Sequence, residues 1–423
     1  MKEEFQKLEA LFKSVFLIID EGLVKVVCAS IIANRLPFDP FWMFLVGPSS
    51  SGKSEMIMSL TKTFGIVPIS SLTPHTFISG LKRPGKETSM LFKISEQYGR
   101  QGIMTFKDFT SIITMHHEDR KEIMGQLREI FDGSLNRSFG TGDDIKWTGK
   151  VGMVSAVTDA IYRERQMYAK MGERFTMYKF ITPDRKDVLR YANDEKMEQK
   201  QEDREKLKDA VANFLDKVVG TPVTIPKVPK FMEDEIIDLA EFTTRARSSV
   251  DRDYYSQSKE IEYVYDPEGP TRFADQLKTI YKALVILNGG ALQDLDQRII
   301  YKIALDSIDQ RCRRALQAAA KYTTITTPGL AILINLPTTS TRRILEDLNA
   351  LGVLIRIKTG REDHWKIKDE YRPLIQKVDQ IKFEDKILDE TYQPEEGGPV
   401  QDVVEHLKID PEDLGEQEMF DNF

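Results

Sequence analysis

The chain has 423 residues, 41% hydrophobic and 30% charged, with a net charge of −7, which predicts a soluble protein of two or three domains. Its longest apolar stretches, Leu23 to Leu36 and Phe41 to Val46, are broken or flanked by Lys25, Asn34, Arg35 and Asp39, short of the ~20 apolar residues of a membrane helix. Two cysteines, Cys28 and Cys312, and five scattered histidines exclude a disulfide framework and supply no zinc site, and we expect a cytoplasmic protein with no secretory signal. Net acidity argues against a wholly basic surface but leaves room for one basic face.

Residues 1–40 predict a helical element, with Phe5, Leu8, Leu11, Phe12 and Phe16 at helical spacing. Residues 41–182 alternate strand-like and helix-like runs, the pattern of a parallel α/β sheet. Strand candidates are Trp42 to Val46, Ile103 to Phe106, Val151 to Val157 and Phe175 to Ile181. Directly after the first, Gly47-Pro48-Ser49-Ser50-Ser51-Gly52-Lys53-Ser54 satisfies G-x-x-x-x-G-K-[ST], and a helical run from Glu55 to Phe64 follows. This is the context a phosphate-binding P-loop requires. Glycines let backbone N–H groups turn toward phosphates at a helix N-terminus. Lys53 would reach the β- and γ-phosphates of ATP and Ser54 would ligate Mg²⁺, with Gly47 to Glu55 as the nucleotide contact set.

Such a site needs a carboxylate at the end of a neighbouring strand for the Mg²⁺ shell. Asp108, after Ile103-Met-Thr-Phe-Lys107, is the candidate. A glutamate often follows this aspartate to polarise the attacking water, but here the next residue is Phe109. Glu118 or another carboxylate is the substitute, and slow hydrolysis is the alternative.

Residues 183–308 predict a helical domain. Its charged opening, Asp184 to Val218, carries Val188, Leu189, Tyr191, Leu207, Val211, Phe214 and Leu215 as apolar faces of solvated helices. In residues 309–370 a helix over Arg311 to Tyr322 precedes a short apolar helix through Leu330 and Ile334. Thr338-Thr339-Ser340 then caps a helix bearing Ile344, Leu348 and Leu351 on one face. Val353 to Ile357, a turn at Thr359-Gly360 and His364 to Ile367 form a hairpin. Three helices and a hairpin are the order of a winged helix. Arg342 and Arg343 on the helix, with Arg356, Lys358, Arg361, Lys366 and Lys368 on the hairpin, are candidates for holding DNA phosphates, although Glu346 and Asp347 dilute that face. Residues 371–423 form an acidic, mobile tail ending Gln417-Glu-Met-Phe-Asp-Asn-Phe423, a candidate docking peptide for a replication protein.

Over about residues 20–310 the order of these features resembles the AAA+ P-loop ATPases, in particular the branch of MoxR-type ATPases and minichromosome-maintenance helicases. The resemblance implies an α/β nucleotide domain with a helical lid, assembled as a ring, expected to be a hexamer. It also implies roles. Thr158, after Val151 to Val157, would be the polar sensor near the γ-phosphate. The segment Arg137 to Trp147 would be a hairpin facing the pore, making Lys146 a DNA contact. Arg174, in Gly172-Glu-Arg-Phe175, would be the arginine finger acting on a neighbour's ATP. Arg272, in Gly269-Pro-Thr-Arg272, would contact the γ-phosphate in cis, with Arg245 and Arg247 as competitors. Asn34-Arg-Leu-Pro-Phe-Asp-Pro40, Ser71-Leu-Thr-Pro74 and Lys107-Asp-Phe-Thr-Ser111 further resemble uncharacterised ATP-binding proteins of phages and mobile elements. The expected activity is ATP hydrolysis coupled to DNA unwinding or remodelling in replication. A MoxR-like protein remodeller and an ATP-switched DNA-binding regulator with little hydrolysis are the rival readings.

Overall fold

Strands that read as unbroken apolar runs belong inside a parallel sheet covered on both faces, and Trp42-Met-Phe-Leu-Val46 is such a run, buried at every position. In the computed structural model, which describes residues 1–78, 89–138, 144–163, 174–193, 197–220, 224–253, 255, 259–360 and 362–379, this strand is β1. It is followed by β2 (Ile66–Ile69), β3 (Ile103–Phe106), the antiparallel hairpin β4 (Ser134–Ser138) and β5 (Asp144–Thr148), β6 (Gly152–Val157) and β7 (Phe175–Lys179). Five of them form one parallel sheet in the order β2-β3-β6-β1-β7. Together with its flanking helices this is an α/β fold. Among the described residues, no helix is long and apolar enough to cross a membrane.

The sheet core is aromatic. Phe44 stacks on Phe175 at 4.3 Å and meets Phe109 at 4.9 Å, while Trp42 packs edge-on against Phe131 at 5.3 Å. The Trp42 indole donates to the Val151 carbonyl at 2.8 Å, so this large side chain is buried without orphaning its N–H. Asn34, on the helix Leu23–Arg35, fixes the entry to β1 by accepting from Phe41 N–H at 2.9 Å and donating to Phe41 O at 2.8 Å.

An edge strand exposes alternate N–H groups that invite foreign pairing, and β7 is such an edge. Here Met177 N–H donates to Ser307 Oγ at 3.1 Å, Lys179 N–H to Asp306 Oδ2 at 2.7 Å, and Ile181 N–H to Asp20 Oδ2 at 3.0 Å. The N-terminal segment and the helix Asp294–Asp306 therefore satisfy the free side of the sheet. A buried ion pair, Lys25 to Asp296 at 2.6 Å, ties the same two elements together.

The chain divides into two units, one of residues 1–249 and 265–309 and one of residues 250–264 and 310–423. The segment expected to be almost entirely helical, 183–308, is interrupted by an antiparallel pair, β8 (Val250–Arg252) and β9 (Ile261–Val264), which belongs to the second unit. Of its expected apolar faces, Leu207, Val211, Phe214 and Leu215 are buried, whereas Val188, Leu189 and Tyr191 are exposed. The second unit contains helices Gln310–Ala320, Thr327–Ile334 and Thr338–Ala350 and an antiparallel sheet of β10 (Ile325–Thr326), β12 (Glu362–Ile367) and β11 (Leu354–Thr359), with β12 central. The expected cap at Thr338 to Ser340 is not formed: the helix starts directly after Pro337 with no side-chain cap, and Thr341 instead returns its hydroxyl to Pro337 O at 3.1 Å. Thr326 is the capping residue of the preceding helix, accepting from Gly329 N–H at 3.3 Å.

Candidate nucleotide site

In open parallel sheets ligands lie beyond the carboxyl ends of the strands. Val46 is level with Val157 of β6 and Lys179 of β7, so the chain leaves the sheet at Gly47, Thr158 and Phe180 on one front. The loop 47–54 occupies that front. Ser50 and Gly52 take positive φ, 61° and 88°, a turn that glycine makes freely and serine makes at a cost of roughly 1–3 kcal/mol. Gly47 is needed for space, since a Cβ there would lie 3.0 Å from the Phe180 ring and 3.2 Å from Ser51 Oγ. The helix that follows, Lys53–Met58, is shorter than the expected run to Phe64.

Lys53 is folded back into this loop. Its ammonium donates to Gly47 O at 2.8 Å and Pro48 O at 2.5 Å. Burial pushes its pKa below the usual lysine range, opposed by the charges of Asp108 and Asp159. Neutral carbonyls are weaker partners for an ammonium than an anion, so this cation is held in reserve beside its carboxylates.

Asp108 does not stand on the strand next to β1, as expected of a neighbouring strand; β6 lies between. The two sides nevertheless meet, because Ser54 Oγ donates to Lys107 O at 3.1 Å. Asp108 is exposed and its Oδ1 accepts from Thr110 N–H at 2.9 Å. Thr158, at the end of the intervening β6, is fixed to the same turn: its hydroxyl is 3.1 Å from the Thr110 hydroxyl, which accepts from Thr158 N–H at 3.0 Å. Lys53, Ser54, Asp108 and Thr158 therefore converge. Phe109 is fully buried against Phe44 and Phe106, so it belongs to the core. Glu118 is 74% exposed and engages His117. Asp159 faces Lys53 and pairs with Lys179 at 3.4 Å. Sequence reasoning passed over it by seeking a carboxylate directly after Asp108; the signal was its place after the apolar run Val151 to Val157.

Arg174 and Arg272 stand elsewhere. Arg174 precedes β7 and so lies at the amino end of the sheet, about 16 Å from the P-loop front at ~3.3 Å per residue over a five-residue strand. Its guanidinium is buried and grips Asp132 through Nε at 3.2 Å and Nη2 at 2.7 Å. Arg272 shares this environment: burial first, then the charge of Arg174, holds its pKa below the usual arginine range, with Glu268, Asp132 and Arg247 also acting on it. Arg272 is therefore with Arg174, away from its own P-loop. Arg247 is committed to Glu268 and lies over Phe273 at 4.4 Å; Arg245 pairs with Glu241 at 2.5 Å.

The basic residues are unevenly available. Lys146 is exposed on β5 opposite Asn136. Arg342 is half exposed, 3.5 Å from Glu346, and Arg343 is half-buried. Arg356 is held by Asp363 at 2.8 and 2.5 Å, Lys366 by Asp369 at 2.9 Å, and Lys358 is exposed. Asp347 and Glu346 face Arg252, whose guanidinium reaches them at 2.6 and 3.2 Å, so the helix acids are neutralised from the β8–β9 hairpin. The tail expected over 371–423 begins as a helix, Arg372–Asp379, with Leu374 and Ile375 buried and Arg372 donating to Ala320 O at 2.9 Å, so its first part is ordered; Arg361 and residues 380–423 lie outside the described residues.

No family model matches the chain, and no curated relative matches it. Among solved structures it is similar to one described as SCCmec type IV Cch, an active helicase, at 12% identity and a TM-score of 0.33, covering 88% of this chain and 71% of that one. A second is the apo A form of the NrS-1 C-terminal region, at 11% identity and a TM-score of 0.27, covering 87% and 75%. At these TM-scores neither likeness carries a structural argument.

Proposed function

We propose that the chain is an AAA+ ATPase that binds Mg-ATP at Gly47 to Glu55 and couples its hydrolysis to DNA remodelling or unwinding, as a replication helicase or initiator of a phage or mobile element. The observation that carries this reading is the convergence of Lys53, Ser54, Asp108 and Thr158 from three strands that are not consecutive in the chain. In chain order the sheet reads second, third, fourth, first, fifth, which inserts the Thr158 strand between the phosphate loop and the Mg²⁺ aspartate.

The residues present suit Mg²⁺. Ser54 and Asp108 offer one hydroxyl and one carboxylate on adjoining segments. Mg²⁺ in such sites keeps waters and takes substrate phosphate oxygens, so a sparse oxygen set fits it. When bound, the ion supplies charge neutralisation at the β- and γ-phosphates. Lys53 would exchange its loop carbonyls for phosphate oxygens, and Thr158 would donate to the γ-phosphate or to water beside it.

Arg174 and Arg272 sit at the sheet end away from their own loop, which supports a ring, expected to be a hexamer, in which that end meets a neighbour's nucleotide. Arg272 has no hydrogen bond or ion pair among the described residues, and Arg174 would first have to leave Asp132. Residues 309–370 would act as a winged helix, with Arg342, Arg343 and Lys358 as DNA contacts and Arg356 only after release from Asp363; Lys146, in the first unit, would be a separate DNA contact. The tail would dock a replication protein. A second reading, an ATP-switched DNA-binding regulator, is favoured by the burial of Phe109 where a catalytic glutamate is usual. Steady-state ATP turnover with and without single-stranded and duplex DNA tests the choice. Stimulation by DNA is expected; turnover indifferent to DNA would overturn the DNA motor, and tight binding without turnover would select the switch.

A further inference from the structure

Phe109 cannot simply be exchanged for a carboxylate. Its ring is fully buried among Phe44, Phe106 and Phe175, and a charge there would carry a desolvation penalty of several kcal/mol. If the site hydrolyses ATP, the group that orients water comes from another place on the same front.

Among the described residues the acids near that front are few, and Asp306 and Asp20 are committed to the N–H groups of Lys179 and Ile181. Glu55 is tied to Arg204 at 3.0 Å, and Glu118 is 74% exposed and bonded to His117. Asp108 is assigned to the metal shell. Asp159 remains. It follows Thr158 at the carboxyl end of β6, between the P-loop strand and the Asp108 strand, and its charge and that of Asp108 are the two that act on Lys53. Its carboxylate is half in solvent, but Oδ1 is shielded and has no hydrogen-bond donor. The Lys179 ammonium, 3.4 Å from Oδ1, attracts it by charge without meeting hydrogen-bond geometry. Lys179 is itself anchored, its N–H donating to Asp306 Oδ2. The turn is pinned on its other side by the Thr158–Thr110 contacts.

From this geometry we infer that Asp159 is the carboxylate that orients and deprotonates the attacking water, taking the role that Phe109 leaves vacant. The inference rests on the ATPase reading above. In the step, water oxygen forms a bond to the γ-phosphorus, the bond from that phosphorus to the β–γ bridging oxygen breaks with its electron pair leaving on ADP, and the water proton passes to Asp159 and then to solvent. Lys179, 3.4 Å from the carboxylate, would help to position it by charge attraction.

The test uses the full chain as wild type, Asp159→Asn, Asp159→Glu and Lys53→Ala, measuring Mg-ATP binding by calorimetry and turnover by phosphate release. Asp159→Asn should bind Mg-ATP within about threefold of wild type yet lose roughly 10²–10⁴-fold in turnover, the usual contribution of a positioned general base. Asp159→Glu should recover part of the loss. Turnover by Asp159→Asn near the wild-type rate overturns the inference, as does parallel loss of binding and turnover or a wild type that binds ATP without hydrolysing it. Lys53→Ala separates the two levels. If it loses nucleotide while Asp159→Asn runs at full speed, the inference alone fails; if Lys53→Ala itself binds and turns over normally, the nucleotide site fails.

Discussion

Replacing Lys25 by Met should destabilise the first unit by about 3–5 kcal/mol, the loss found when one partner of a buried ion pair is removed. The structure supplies the reason. Lys25 and Asp296 lie 2.6 Å apart with side chains 3% and 0% exposed. Without the ammonium, the carboxylate keeps two neutral donors, Gln293 N–H at 2.7 Å and the Asn288 amide, and no compensating cation. Gln293 Oε1, which accepts from Lys25 at 2.9 Å, loses its donor as well. Adding Asp296→Asn removes the stranded charge while keeping an acceptor for the N-terminus of helix Asp294–Asp306, so the double variant should recover about 2 kcal/mol, leaving a deficit typical of lost charged hydrogen bonds. Urea unfolding in a Trp365→Phe background reports Trp42 and Trp147, both in the first unit. A cost below about 1 kcal/mol for Lys25→Met, or a double variant no more stable than the single, would refute the claim that charge burial governs this contact.

Two further predictions concern buried titratable groups. Burial, then the like charge of Arg100, pushes Lys150 down to about 8, although its ammonium donates to Leu36 O at 2.7 Å. The unfolded lysine keeps its proton up to its ordinary pKa, so between about pH 8 and pH 10.5 the unfolded state binds more protons and stability rises with pH. Wild type should gain up to about 3 kcal/mol relative to Lys150→Met across that window; a constant difference would contradict it. Cys28 is fully buried and its thiol is pushed up to about 12. In a Cys312→Ser background it should resist a thiol reagent at pH 8 until urea unfolds the chain, and fast native labelling would show the helix Leu23–Arg35 to be open.

What the sequence disclosed was local. Trp42 to Val46 and Ile103 to Phe106 are apolar runs, and the residues after them carry their own spacing rules, so β1, β3 and the 47–54 loop were legible. β2 was not, because its four residues include Pro68 and two half-exposed or exposed positions; proline is tolerated there since β2 is an edge strand. The β8–β9 pair hid within helix-rich sequence, and its outer residues Tyr263 and Val264 are exposed, which blurs the alternation that marks a half-buried strand. Placements that depend on tertiary contacts were not legible. Arg272 lies one residue into its helix as the motif suggests, but which end of the sheet that helix reaches is set by packing far from Arg272. The insertion of β6 between β1 and β3, which brings Asp159 to the same front, is likewise a fact of topology.

The most direct test of the nucleotide site is calorimetric titration of Mg-ATP into the wild-type chain and Lys53→Ala. Wild type should bind, and Lys53→Ala should bind roughly 10–100-fold more weakly, as expected for losing a charged hydrogen bond to phosphate. Equal affinity in the two proteins, or no binding by wild type, would contradict the assignment of residues 47–54 as the phosphate cradle.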